Sequence, residues 1–137
     1  MSIKAYQHKT QYYETDQMKI IHHSNYIRWF EEARSDFMEH LGLSYAEMER
    51  MGITVPVLSI SANYKSMVRF GETVSITIKV VKYNGVKLEL TYEITDSETN
   101  ELRTTGTSQH CFLNETGRPI SLKRKRPDLH ELFLEQL

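Results

Sequence analysis

Thr73–Thr95, TVSITIKVVKYNGVKLELTYEIT, is the stretch on which the fold turns. Val74, Ile76, Ile78 and Val80 alternate with Thr73, Ser75, Thr77 and Lys79. After Asn84-Gly85 the alternation resumes, with Val86, Leu88, Leu90, Tyr92 and Ile94 set against Lys87, Glu89, Thr91 and Glu93. A period of two along both arms means two strands, each with one apolar face. Asn-Gly between such arms is the strongest short-range hairpin signal, so the arms pair antiparallel through a predicted two-residue type I′ turn.

The neighbouring segments extend this sheet. Upstream, Leu58, Ile60, Ala62 and Tyr64 alternate with Val57, Ser59, Ser61 and Asn63, giving a strand within residues 53–64 and a turn at Gly71. Downstream, a turn at Asp96 to Asn100 leads into a long last strand, residues 101–113, which Asn114 to Gly117 ends. Residues 3–14 carry tyrosines and threonine with weak alternation and read as a first strand at an edge. Between the first two strands, Tyr26, Phe30, Ala33, Phe37 and Leu41 recur on one helical face, which Trp29 and Met38 widen. Ser24 and Asn25 are N-cap types and Gly42 suits the left-handed residue past a helix end, so a helix is expected over residues 25–41. A short helix over 44–50 and a helical tail over 128–137, entered through Lys123-Arg-Lys-Arg126 and Pro127, complete the reading. The whole is a single α+β domain, residues 1–137, with an antiparallel sheet of about five strands covered by one long helix. Its uncovered edges call for at least a dimer.

Composition narrows the function. The 137 residues include 17 basic and 18 acidic side chains, so no global field draws nucleic acid or an anionic membrane. No apolar run approaches the ~20 residues of a membrane helix, and the start MSIKAYQHKT has no apolar signal core. Cys111 is the single cysteine and has no partner for an internal bridge, which points to the cytoplasm. Six methionines, eight tyrosines and five phenylalanines supply apolar surface that serves a core and also suits an acyl or aryl pocket.

One segment carries chemistry. Tyr12–Tyr26, YYETDQMKIIHHSNY, sets Asp16 in a loop just before the helix. A carboxylate acts as base or nucleophile, and a helix N-terminus offers unpaired N–H donors to a developing oxyanion, which together are the requirements of acyl transfer. The plainer reading of Asp16 is a loop carboxylate capping the following turn. A Ser24-His23-Asp16 triad is discounted because adjacent residues opening a helix diverge, and His22, His23 and Asp16 lack metal-ligand spacing. Cys111 reads as a buried thiol.

Asp16, followed at seven, nine and ten residues by His23, Asn25 and Tyr26, resembles the signature of the hot-dog-fold acyl-CoA thioesterases of the 4-hydroxybenzoyl-CoA thioesterase type. The family pattern runs roughly Y-x-x-T-D-x-x-G-x-V, two or three variable positions, then S/N-Y opening a long helix; Thr15, Asp16, Ile21, Asn25 and Tyr26 fit it. Val68-Arg-Phe-Gly-Glu72 is similar to the family's entry into its third strand. Lys19 stands where the family usually has Gly, so a different loop geometry beside the carboxylate is expected.

The resemblance implies a hot-dog fold, the sheet wrapped around the helix, and edge-to-edge homodimers that pair into homotetramers with active sites at the subunit interface. It implies hydrolysis of acyl-CoA to acid and CoA, with Asp16 as nucleophile or general base and the backbone N–H of His23 as oxyanion donor. The His23 side chain would orient Asp16 or assist departure of the thiol. Asn25 and Tyr26 would shape the site, and Ser59, Ser61 and Lys65 lie on a strand that passes the pocket. The substrate is the only nucleotide-bearing group implied, and no cofactor or metal is. Acyl carrier protein stays open as the thiol carrier. Cations of the 123–126 run, Lys82, Lys87 and Arg103 are candidates for the CoA phosphates. The competing readings are a hot-dog hydratase or dehydratase and a non-catalytic acyl-thioester binding module.

Overall fold

The computed structural model describes residues 4–137, so the expected start of the first strand at Ile3 lies outside it. In chain order it contains β1 (Tyr6–Lys9), a 3₁₀ turn (Tyr12–Glu14), α1 (Ser24–His40), α2 (Tyr45–Arg50), β2 (Val57–Tyr64), β3 (Thr73–Tyr83), β4 (Lys87–Asp96), β5 (Leu102–Cys111), α3 (Leu122–Lys125) and α4 (Pro127–Leu134). The five strands form one antiparallel sheet in the order β1-β3-β4-β5-β2, leaving β1 and β2 at the edges. Helix α1 touches both edge strands as well as interior β3, so the sheet curls around it in the expected hot-dog arrangement. An extra residue at Val81, between the pairs Val80↔Leu90 and Lys82↔Glu89, adds twist to that curl.

The helix forms where its apolar face predicts. Tyr26, Trp29, Phe30, Ala33, Phe37 and Met38 are all buried, each large side chain contributing roughly 1.5–3 kcal/mol. It ends in a Schellman motif: Gly42 lies at φ 83°, its N–H donates to Glu39 O at 2.9 Å, and Leu43 N–H donates to Met38 O at 2.9 Å. Phe30 stacks on Tyr92 with ring centroids 4.4 Å apart. A Cβ built on Gly106 of β5 would stand 2.5 Å from the Phe30 ring and 2.7 Å from Ser61 O, so glycine there lets α1 sit directly on the sheet.

Three local expectations are corrected. The first strand is short, because the chain turns at Thr10, whose hydroxyl donates to Glu72 O at 2.9 Å and accepts Gly71 N–H at 2.9 Å. The β3–β4 connection is not a type I′ turn. Asn84 keeps a negative φ, and its Oδ1 accepts the N–H groups of Val86 and Lys87 at 2.9 and 2.8 Å, leaving only Gly85 in the left-handed region at φ 90°. The basic run is helix α3 rather than a lead-in. It docks by Leu122 N–H on Gly85 O at 2.8 Å, while Phe133 of α4 packs on Tyr83 and Phe112.

A polar chain invisible to periodicity crosses the core. Buried Arg34 donates to Tyr92 Oη at 3.0 Å, Tyr92 meets Ser108 Oγ at 2.6 Å, Ser108 meets His110 Nε2 at 2.7 Å, and His110 Nδ1 reaches Pro56 O at 3.1 Å. A carbonyl only accepts, so Nδ1 carries the proton and Nε2 is left to accept from Ser108, in a neutral ring. Burial first, then the Arg34 cation, pushes the His110 pKa down to about 4.

Two outcomes are expected. Gly106→Ala should lower stability by about 1–3 kcal/mol through overpacking, measured by urea denaturation. Because His110 titrates lower in the folded than in the unfolded chain, the folded state binds fewer protons between pH 6.5 and about 4, and stability falls as pH drops through that window. The His110 share of the loss should be on the order of 3 kcal/mol once pH is below 4, and His110→Gln should flatten the stability profile across that window.

Candidate active site

Asp16 heads a tight hairpin. Its backbone N–H donates to Ile20 O at 2.9 Å, Lys19 N–H donates to Asp16 O at 3.1 Å, and Thr15 bridges to Ile21. This is a type I turn followed by one left-handed residue, and that residue is Lys19 at φ 63°. Lys19 thus holds a left-handed conformation that glycine would adopt without strain. The Asp16 carboxylate caps the turn as its plainer reading predicts, Oδ1 accepting Met18 N–H at 2.7 Å. Its other oxygen accepts no hydrogen bond among the described residues, and Asp16 lines a cleft.

The expected side-chain cap of α1 is absent. The N-cap position falls on His23, which makes no side-chain cap, and the two cap-type residues serve elsewhere. Ser24 Oγ meets His22 Nδ1 at 2.8 Å, and buried Asn25 donates from Nδ2 to Glu14 O at 3.0 Å and to His22 O at 3.3 Å. The N–H groups of His22, Ser24 and Asn25 find acceptors in Glu14 O, His22 Nδ1 and His22 O. That of His23 finds none among the described residues. An unpaired N–H at the positive end of a 17-residue helix is a donor held ready for an anion.

Asp16 and His23 border the same cleft, of about 620 Å³, whose wall includes Tyr26 and Tyr64 and whose rim carries Lys65 and Arg69. Tyr64, at the end of β2, donates to His23 O at 3.2 Å and meets Tyr26 edge to face at 5.1 Å. Tyr26 Oη accepts Val68 N–H at 3.2 Å; burial raises its phenol, with this bond in partial opposition. The His23 ring stacks on His22 at 4.2 Å and makes no hydrogen bond to Asp16 among the described residues.

The remaining candidates divide between the sheet surface and the cleft. Ser59 and Ser61 occupy the outer face of β2, where Ser59 donates to Gln109 Oε1 at 3.0 Å and Ser61 meets Thr107 Oγ1 at 2.6 Å, so neither lines the cleft. Arg103 does line it, but as a buried residue engaged by Glu72 and Asp96 at 3.1 Å and by Glu101 at 2.7 Å, which removes it from the free cations. The Val68–Glu72 motif packs directly against the Asp16 hairpin, Ile21 N–H donating to Val68 O at 2.8 Å. Sequence reasoning passed over Tyr64 and Glu14. Alternation marked Tyr64 only as inward-facing, and Glu14 carried no signal beyond its place before Thr15-Asp16.

Comparison with known proteins identifies the family and the fold. The profile of the thioesterase-like superfamily matches residues 10–137, and the chain belongs to that family. It is 34% identical over 134 residues to "Putative acyl-CoA thioesterase YneP" of Bacillus subtilis, covering 97% of this chain and 96% of that protein. A solved DHNA-CoA thioesterase from Staphylococcus aureus superposes with a TM-score of 0.90 at 40% identity, over 96% of this chain and 89% of that one. The 1,4-dihydroxy-2-naphthoyl-CoA hydrolase of Prochlorococcus marinus is 25% identical over 133 residues, 93% of this chain and 85% of that protein. The protein is thus a hot-dog thioesterase. Among the described residues, no helix is long and apolar enough to cross a membrane.

Lys19→Gly should stabilise the fold by about 0.5–1 kcal/mol, relief of left-handed strain exceeding the added freedom of the unfolded chain, and should leave turnover unchanged. Denaturation midpoints and thiol release, compared side by side, check both halves.

Proposed function

We propose that the protein hydrolyses acyl-CoA thioesters, with aromatic acyl groups preferred, and that Asp16 and the His23 N–H are its working parts. The observation that carries the reading is that both residues line one cleft, Asp16 with a carboxylate oxygen that accepts no hydrogen bond and His23 with a backbone N–H that finds no acceptor among the described residues. In the nucleophilic route an Asp16 oxygen bonds to the thioester carbonyl carbon, and the carbonyl electron pair moves onto oxygen, where the His23 N–H receives it. Collapse breaks the C–S bond and expels CoA thiolate, which takes a proton from solvent; water then cleaves the mixed anhydride. In the general-base route Asp16 takes a proton from water as that water attacks, and the proton passes to the departing thiolate. The aromatic preference is supported by the ring-lined wall of His23, Tyr26 and Tyr64, and by two of the relatives, named as a DHNA-CoA thioesterase and a 1,4-dihydroxy-2-naphthoyl-CoA hydrolase.

Two copies are proposed to pair along β2, an edge strand whose Val57, Leu58 and Tyr64 are half exposed, and the pair to double into a tetramer. Antiparallel pairing of β2 with itself would bring the Val57 end of one copy, flanked by Lys82 and Lys87, beside the cleft of the other. Those lysines, with Lys65 and Arg69 on the rim, are the cations proposed for the CoA phosphates. Helix α3 sits beyond the hairpin loop at the far end of β3 and is assigned no phosphate role. A buried, unpaired Cys111 supports a reducing, cytoplasmic setting.

Thiol release from short, long and aromatic acyl-CoAs, and from an acyl carrier protein thioester, tests the reading. Asp16→Asn should keep the turn, since the amide oxygen still accepts Met18 N–H, while turnover falls about 10²–10⁴-fold. Near-normal rates in that variant would remove Asp16 from the reaction. Enoyl hydration without thiol release would favour a hydratase, and tight binding without turnover a binding module.

A further inference from the structure

Glu14 takes no part in either route above, yet it is buried, 4% exposed, and bonded on every side. Its carboxylate accepts the Gln11 N–H at 2.7 Å and the Trp29 Nε1–H at 2.7 Å, and meets His8 Nε2 at 3.0 Å. Its main-chain oxygen accepts two more, from His22 N–H at 2.9 Å and Asn25 Nδ2 at 3.0 Å. One residue therefore ties together the end of β1, the core face of α1 and the segment entering α1. Asp16 follows Glu14 by two positions, and His23 follows His22 by one, so both halves of the cleft chemistry hang from these bonds.

Charge makes the tie specific. Burial would raise the Glu14 pKa, but the bonds from His8, Trp29 and Gln11 outweigh it and hold the carboxyl below the usual range. The His8 ring lies between two carboxylates, with Nδ1 3.3 Å from Glu32 of α1. Through these two contacts the ring links β1 to α1 as well. A buried carboxylate costs several kcal/mol unless its donors stay in place, so its surroundings resist displacement. Gln at this position would offer one acceptor oxygen to donors that now share two, and would turn an NH₂ toward at least one of them.

We propose that Glu14 is a positioning residue of the thioesterase reaction, fixing the Asp16 carboxylate and the His23 N–H at the separation that attack on a thioester requires. The inference rests on the reading of Asp16 as the reacting carboxylate. Trp29 Nε1 and His8 act with Glu14, as the donors that hold its side chain in place.

The test is a double-mutant cycle of Glu14→Gln and Asp16→Asn on the full-length protein, with steady-state thiol release from the best aromatic acyl-CoA of the panel. Glu14→Gln should lower kcat about 10–100-fold, with KM within about threefold of wild type and unchanged oligomer size, because misplacement affects the transition state more than binding. In the Asp16→Asn background the same change should cost less than about threefold, since the separation that Glu14 sets matters only while the Asp16 carboxylate is there to react. Wild-type kcat in Glu14→Gln, or a full multiplicative loss in the double variant, would overturn the proposal and leave the Asp16 reading standing. Normal turnover in Asp16→Asn alone would bring down both. Should Glu14→Gln fail to fold, Trp29→Phe, which removes one donor and keeps the carboxylate, carries the same cycle with an expected kcat loss of about 3–10-fold.

Discussion

Phe30 rests on Gly106 with no room for a Cβ between helix and sheet, and the depth of that contact sets the rest of the molecule. Seated there, α1 brings Trp29 within 2.7 Å of Glu14 and Tyr26 within 3.2 Å of Val68 N–H. The first contact holds the loop before Asp16, and the second holds the segment that bridges to the loop after it. A helix lifted by a methyl group would disturb both at once, because interiors packed at crystal density absorb little displacement locally.

The site pairs two unfulfilled groups, and each is unfulfilled for a structural reason. Helix α1 begins without a side-chain cap because Ser24 and Asn25, the residues able to cap it, are turned back toward His22 and Glu14. The Asp16 carboxylate, on a residue that lines the cleft, has one oxygen committed to its own turn, which fixes the side chain, and a second that accepts no hydrogen bond among the described residues. Holding a reactive group with one of its atoms and presenting another is a common way to pre-organise a site at small entropic cost.

Polar interactions inside the core follow the same economy. Arg34, Tyr92, Ser108 and His110 form one chain whose direction is dictated by its terminal carbonyl, and Arg103 gathers Glu72, Asp96 and Glu101 where β3, β4 and β5 meet beside the cleft. Each replaces water for groups that the curled sheet has closed off. Both arise from residues that a binary apolar pattern assigns to a strand or helix without assigning a partner.

The sequence by itself determined the elements. Periods of two and 3.6, glycine at the helix end and the Thr-Asp-x₉-Tyr spacing are local, so the long helix, the central hairpin, the family and the position of Asp16 could be read from neighbours in the chain. Turn chemistry was already less legible: Asn84-Gly85 reads as a two-residue turn until the Asn84 side chain is seen holding Val86 and Lys87. Only the tertiary structure decided which residues share the cleft. It brought Tyr64 to His23 from 41 positions away, turned Ser59 and Ser61 to the outer face, and enclosed Arg103 among carboxylates. It also made Glu14 the tie between loop and helix. These outcomes depend on sheet register and on the depth at which α1 is seated, and neither is encoded within the span of a single element.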